Sequence, residues 1–255
     1  MKKPTTAAPA IPFTIVVSTV YGQMLINRND VNQTNALVKT GRGIDHAEIV
    51  MLSALIKVRG TTLTAIDIGA NFGTYSLGLA SAVGREGRVH AFEPQRIIFN
   101  MLAGSVALNS LTNVHCYNAA VGDREGTVEI PQFDYSKSLN FGSIEFGPEQ
   151  RERLAQPRGR DRNRVELVPL TTIDRFAFKQ VDLIKIDAEG MEMQVLDGAH
   201  KTIGRCRPIL YIEYLKVNRD ALRKRVIEHG YAVHPNNINY LCIPSELSGR
   251  VVVRR

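Results

Sequence analysis

From residue 63 onward, short β-branched runs alternate with stretches whose apolar residues recur at helical spacing. Residues 63–68 (LTAIDI), 88–92 (RVHAF), 113–118 (NVHCYN), 181–186 and 208–212 read as strands. Residues 72–83, 95–109, 191–203 and 219–229 read as helices, and 231–234 and 240–243 as two closing strands. After Asp123 the alternation breaks. Residues 127–130, 143–146 and 165–168 predict strands of a hairpin-like insertion after the third strand. Residues 147–164 are polar, basic and aperiodic, and predict a mobile loop.

Repeated β-α-β units predict an α/β fold, a doubly wound, Rossmann-like and mainly parallel sheet with helices on both faces. Residues 1–60 form an expected N-terminal extension packing on a core of residues 61–255, with no second compact domain. Ligands of such sheets bind outside the carboxyl ends of the strands. That rule selects residues 67–73, Glu93, residues 118–123, residues 187–190 and Glu213.

Composition changes this picture little. With 44% hydrophobic and 22% charged residues among 255, one well-cored domain is expected. No apolar run approaches the roughly 20 residues that span a bilayer. The first dozen residues lack a signal-peptide core and read as a flexible lead-in. Cys116, Cys206 and Cys242 are odd in number and far apart, which fits reduced thiols in a cytoplasmic protein and excludes a cysteine-rich zinc site. The net charge of +7 suits an acidic partner or a solvated surface. The basic cluster at 151–164 has no interleaved aromatics, so a single-stranded nucleic acid partner is not favoured.

The most informative loop is Asp67-Ile-Gly-Ala-Asn-Phe-Gly73. Glycines between strand and helix allow a sharp turn and close ligand approach. A dinucleotide fingerprint would place its third glycine at Thr74, which argues against NAD. An acid at the strand end suits a ligand bearing an ammonium and no phosphate, such as S-adenosylmethionine (SAM). Asp67 would act directly or through water, loop amides at Gly69, Asn71, Gly73 and Thr74 would meet the carboxylate, and Asn71 would take a left-handed conformation.

Glu93 ends the second strand, where a carboxylate accepts from both ribose hydroxyls; Pro94 suits the start of the next helix. Ala120 and Val121 leave room for a flat adenine, and Asp123 fits a turn. In the stretch 182–190, Lys185 inside an apolar strand demands a carboxylate partner or an edge. Asp187 and Glu189 lie past the strand end, where either can orient or deprotonate an acceptor hydroxyl. The same pair would serve as turn and cap residues, or hold Mg²⁺ or Ca²⁺. Acceptor chemistry is the reading taken, with no metal assigned.

These segments, with Thr171-Thr-Ile-Asp174, Ala119-Ala-Val-Gly-Asp123, Glu192 and Val195-Leu-Asp-Gly198, resemble the FkbM-type methyltransferases over about residues 60–215. The resemblance implies a class I SAM-methyltransferase fold and O-methylation of a hydroxyl on a sugar, glycan or natural product. It implies that a carboxylate on the helix before the first strand, Glu48, faces the cofactor amino group. His46 beside it is a lesser candidate, as a base. Residues 140–143 match the family's polar turn beside the acceptor, and the Asn- and Gln-rich stretch 21–35 suits a polyhydroxylated acceptor. An RNA or protein methyltransferase and a silent SAM-binding module are the alternatives. Nitrogen-targeting enzymes on this fold often carry an Asn-Pro-Pro-Tyr-like motif where this chain reads Asp-Ala-Glu-Gly.

Overall fold

Alternating side chains along each buried strand are sorted to opposite faces of one sheet. In the computed structural model, which describes residues 11–145 and 165–249, Ile66, Ile68, Ile184, Ile186, Leu210 and Ile212 pack on one face. Ala65, Leu183, Ile209 and Tyr211 pack on the other. Both faces are therefore buried, as a parallel sheet requires. The lead-in over 1–10, the basic stretch 146–164, and Arg250, Arg254 and Arg255 lie outside the described residues.

The chain opens with the antiparallel hairpin β1 (Thr14–Thr19) and β2 (Gly22–Asn27), followed by α1 (Gln33–Thr40) and α2 (His46–Leu55). The central units are β3 (Thr64–Ile68), α3 (Thr74–Ala80), β4 (Arg88–Phe92), α4 (Arg96–Leu108) and β5 (Val114–Tyr117). An insertion follows, comprising β6 (Ala120–Val121), β7 (Gly126–Pro131) and β8 (Val165–Thr171) in a small sheet of order β6-β8-β7. The chain then returns through β9 (Leu183–Ile186), α5 (Glu192–Gly198), α6 (His200–Cys206), β10 (Ile209–Glu213), α7 (Arg219–Glu228), β11 (Tyr231–Asn236) and β12 (Asn239–Pro244).

The seven-stranded sheet has the order β11-β12-β10-β9-β3-β4-β5, with parallel pairings from β10 through β5 and β12 antiparallel. Helices α2 and α3 cover one face and α5 to α7 the other, which is the doubly wound arrangement. The order reverses between β3 and β9, a crevice where such folds bind ligands.

The hairpin and α1 seat Met24, Ile26 and Leu37 against Met101 and Leu102 of α4 and against Leu139 and Phe141. Polar groups complete this joint. Leu25 N donates to Ser105 Oγ at 2.9 Å, and Asn109 Nδ2 donates to Gln23 O at 2.7 Å.

Two predicted elements differ. The helix expected over 191–203 is split at Ala199. The Asp174 carboxylate accepts from Lys201 N (2.9 Å), Thr202 N (2.8 Å) and Thr202 Oγ1 (2.7 Å), supplying a new N-terminus with the acceptors its free amides need. Gly198 also lies so close to the insertion that a Cβ would fall 1.9 Å from Gly122 O. Of the strand expected over 143–146, Ser143 ends a 3₁₀ turn, Phe141–Ser143, whose Asn140 side chain accepts from Gly142 N at 3.2 Å, residues 144–145 are in no strand, and residue 146 lies outside the described residues. The apolar residues of that segment are buried by the hairpin and α1 rather than by a strand partner.

Candidate active site

Strands β3 and β9 are neighbours in register, and Asp67 stands directly across from Lys185. Lys185 Nζ lies 3.3 Å from Asp67 Oδ1 and 3.6 Å from Asp187 Oδ2, and donates to Gly69 O at 2.8 Å. Burial works against this ammonium, but Asp67, Asp187 and Asp45 outweigh it and hold its pKa above the ordinary range. The lysine demanded by the sequence pattern is thus a paired cation beneath the glycine turn. The second Asp67 oxygen accepts from Ser76 Oγ at 2.6 Å. Asp67 is fully buried and does not border the cleft described below. Asp67 therefore stands beneath the turn, against Lys185 and Ser76 and off the cleft lining, rather than in direct reach of a ligand.

The turn after β3 is built for close approach. Gly69 has φ 73°, and a Cβ there would lie 1.8 Å from Asp187 O. Asn71 adopts φ 50°, the left-handed conformation expected of it. The loop amides, however, face inward. Gly69 N and Ala70 N both donate to Phe92 O (3.0 and 2.9 Å), Asn71 N to Glu93 Oε2 (2.9 Å), and Gly73 N to Ala70 O (2.9 Å). Of the amides expected to meet a ligand carboxylate, those of Gly69 and Asn71 instead lock the β3 tip to the β4 tip, and that of Gly73 closes the turn on Ala70 O.

Glu93 is the other half of that lock, with Oε1 accepting from Gln95 N at 2.8 Å. Burial pushes its carboxyl up to about 7, against the two N–H groups and the charge of Lys185. Each carboxylate oxygen keeps a second acceptor position for a ligand hydroxyl.

A cleft of about 280 Å³ opens over the strand tips, lined by Gly69, Asn71, Glu93 and Pro94 on one side and by Asp187, Glu189, Glu213 and Lys216 on the other. Asn32, Gln33 and Asp45 close one wall and Asn140, Gly142 and Ser143 another. Glu189 is ion-paired with Lys216 and has φ 54°. Burial, reinforced by Asp187, raises the Glu189 carboxyl, and burial with Asp187 and Glu192 raises Glu213. A narrow apolar slot adjoins the cleft, sharing Gly69 and Pro94 with it and walled by Phe92, Ala120, Val121 and Met191.

The remaining site residues fall elsewhere. Gly73 is the N-cap residue of α3, packed under Leu102, and Thr74 is buried in the first turn beside Gly43. Neither borders the cleft. Glu48 accepts from Asn237 Nδ2 at 2.6 Å, off the cleft, and His46 Nδ1 pairs with Tyr21 OH at 2.9 Å. Asp45, three residues before Glu48, stands in the wall instead, held by Gln33 Nε2 at 2.7 Å and raised by burial to about 6. Asn27 and Asp30 of the polar stretch 21–35 are buried joints that bind Tyr135 O and Phe141 N, while Asn32 and Gln33 reach the cleft. Gln95 and Lys216 also line it without any signal in the sequence beyond their nearness to strand tips.

A doubly wound sheet with acids at neighbouring strand tips, a glycine turn and an apolar slot defines an α/β domain with a cleft at the point where its strand order reverses. The Methyltransferase FkbM domain matches residues 67–233, and the chain belongs to that family. A curated relative, Methyltransferase sdnD of Sordaria araneosa, is 26% identical over 157 residues, 52% of this chain and 59% of that protein. The chain thus spans about three fifths of the length of that relative. The crystal structure of methyltransferase FkbM from Methylobacillus flagellatus KT aligns at 19% identity, covering 71% of this chain and 42% of the other, with a TM-score of 0.48. An rRNA methylase from Streptococcus thermophilus aligns at 11% identity over 77% of this chain and 92% of its own, with a TM-score of 0.45. Among the described residues, no helix is long and apolar enough to cross a membrane.

Proposed function

We propose that this protein is a SAM-dependent methyltransferase acting on a hydroxyl of a sugar, glycan or natural product. The observation that carries the reading is the single cleft at the β3, β4, β9 and β10 tips, with an apolar slot on one side and carboxylates on the other. The donor set fits the cofactor. Asn71 Oδ1 and Gln95 Oε1 are buried without a partner beside Glu93, three acceptors grouped for ribose hydroxyls and their neighbours. Asp45 offers negative charge to an ammonium. Phe92, Ala120, Val121 and Met191 suit a flat base.

The bound cofactor supplies a methyl carbon already activated by its sulfonium. The protein then has to align an acceptor oxygen with that carbon and exclude water. The cofactor would supply the methyl group and leave as its thioether, and the hydroxyl proton would pass to a carboxylate of the acceptor wall. Asp187 and Glu189 are the residues assigned there. The dense amide and carboxylate lining from Asn32, Gln33, Asn140 and Glu213 supports a polyhydroxylated acceptor. Three unpaired thiols support a cytoplasmic setting.

The test is calorimetric titration of the full chain with SAM and its demethylated product, then a labelled-methyl screen over sugars, nucleotide sugars, glycans and RNA. Binding followed by label on a carbohydrate hydroxyl is expected. Absence of SAM binding at millimolar concentration overturns the reading, and label appearing on RNA alone replaces its acceptor class.

A further inference from the structure

Strands β9 and β10 run parallel with Ile186 level with Ile212, so the residues that follow, Asp187 and Glu213, emerge side by side. Glu192, the first residue of α5, closes a triangle with them. One carboxylate oxygen of each lies within 4.8 Å of the other two. Glu192 is 1% exposed, with Oε1 accepting from Ala188 N (2.9 Å) and Gly190 N (3.2 Å). Its Oε2 is buried with no partner, and so is Asp187 Oδ1. A buried carboxylate oxygen without a donor is costly unless something positive meets it. The neighbouring ammonium groups are engaged elsewhere, since Lys185 approaches Asp187 at its other oxygen and Lys216 pairs with Glu189.

We propose that Asp187, Glu192 and Glu213 bind one hard divalent cation at the acceptor side of the cleft. Donors that are all carboxylate oxygens, with no imidazole or thiolate among them, suit Mg²⁺, Mn²⁺ or Ca²⁺. An ion between three oxygens at this spacing reaches ordinary Mg²⁺ or Ca²⁺ distances, about 2.0–2.6 Å, after small side-chain shifts. Asp187 and Glu213 border the cleft while Glu192 lies behind them, so the ion's open positions face the cleft. There it would hold two oxygens of a vicinal diol or hydroxy-acid acceptor. That use of the ion rests on the methyl-transfer reading, whereas the cation site does not.

The full-length protein, stripped with chelator, is titrated calorimetrically with MgCl₂, MnCl₂ and CaCl₂, and bound Mn²⁺ is followed by electron paramagnetic resonance. One saturable site is expected. Glu192→Gln should weaken Mn²⁺ binding at least tenfold while changing SAM affinity less than twofold. Its amide oxygen still accepts the two loop N–H groups, and thermal melting followed by circular dichroism checks the fold. Glu213→Gln provides the same loss without touching the loop, should Glu192→Gln unfold. No cation binding at millimolar concentration, or variants that bind Mn²⁺ like the native chain, overturns the site. SAM binding without a cation site overturns this inference alone. A cation site without SAM binding overturns the methyltransferase reading and leaves the site standing.

Discussion

Replacing Glu93 by glutamine tests the lock between the two strand tips through its pH dependence. The carboxyl is pushed from 4.5 to about 7 by burial, although Gln95 N and Asn71 N donate to it and Lys185 attracts it. A native pKa above the unfolded one means that the folded chain binds the proton more tightly. Its contribution is therefore complete below about pH 4.5 and lost as pH rises through about 7. Two and a half pH units at about 1.36 kcal/mol each make the loss about 3 kcal/mol. Glutamine has no proton to lose, but its NH₂ faces one of the two backbone N–H groups, a pH-independent cost of about 1–3 kcal/mol. In urea denaturation followed by far-ultraviolet circular dichroism, Glu93→Gln should be less stable than the native chain at pH 5. It should draw level with or overtake it by pH 8. A stability difference that stays constant from pH 5 to pH 8 refutes the reasoning. In parallel, SAM affinity should fall at least tenfold at pH 7.5, and unchanged affinity removes Glu93 from the ribose contact.

Lys185→Met leaves Asp67 and Asp187 without their shared cation and should cost about 3–5 kcal/mol, read as a lowered melting temperature. Adding Asp67→Asn should restore part of it, and no restoration speaks against the pairing. Gly69→Ala drives a Cβ into Asp187 O and should abolish SAM binding with a fall in melting temperature; a variant that binds normally contradicts the tight turn. Asp30→Ala removes the acceptor of Asn32 N, Thr34 N and Phe141 N. It should cost at least about 1–3 kcal/mol and speed amide exchange around Phe141 in hydrogen-exchange mass spectrometry. Asp187→Asn should slow methyl transfer at least tenfold more than it weakens SAM; the opposite balance moves Asp187 to the cofactor side.

Much of the sheet was legible because its strands are buried on both faces and flanked by glycine or proline, so apolar runs marked them within a residue or two. The cleft's position followed from where those runs end, which is how Gly69, Asn71, Glu93 and Asp187 were found. What failed depends on contacts across the chain. The interruption at Ala199 is enforced by Asp174, some 25 residues earlier, and no local propensity announces it. Glu48 and Asp45 both sit at the start of one helix, and the residues that separate their roles, Gln33 of α1 beside Asp45 and Asn237 beside Glu48, lie elsewhere in the chain. Whether the amides at 69–71 point at a ligand or into the fold depends on Phe92 O and Glu93, which belong to the next strand. The buried role of Asn27 and Asp30 was likewise invisible, since a polar-rich stretch reads as acceptor contacts until its partners, Tyr135 and Phe141, are known.

Because Gly69 N, Ala70 N and Asn71 N in the bend after β3 are tied to the β4 tip, the polar groups offered to the cleft are largely side chains, at Asp45, Asn71, Glu93, Gln95 and Asp187. Such groups can be exchanged one codon at a time while the main chain keeps its path. The preference of this cleft for its occupants is thus open to redesign by single replacements, in a way that a pocket lined by peptide amides is not.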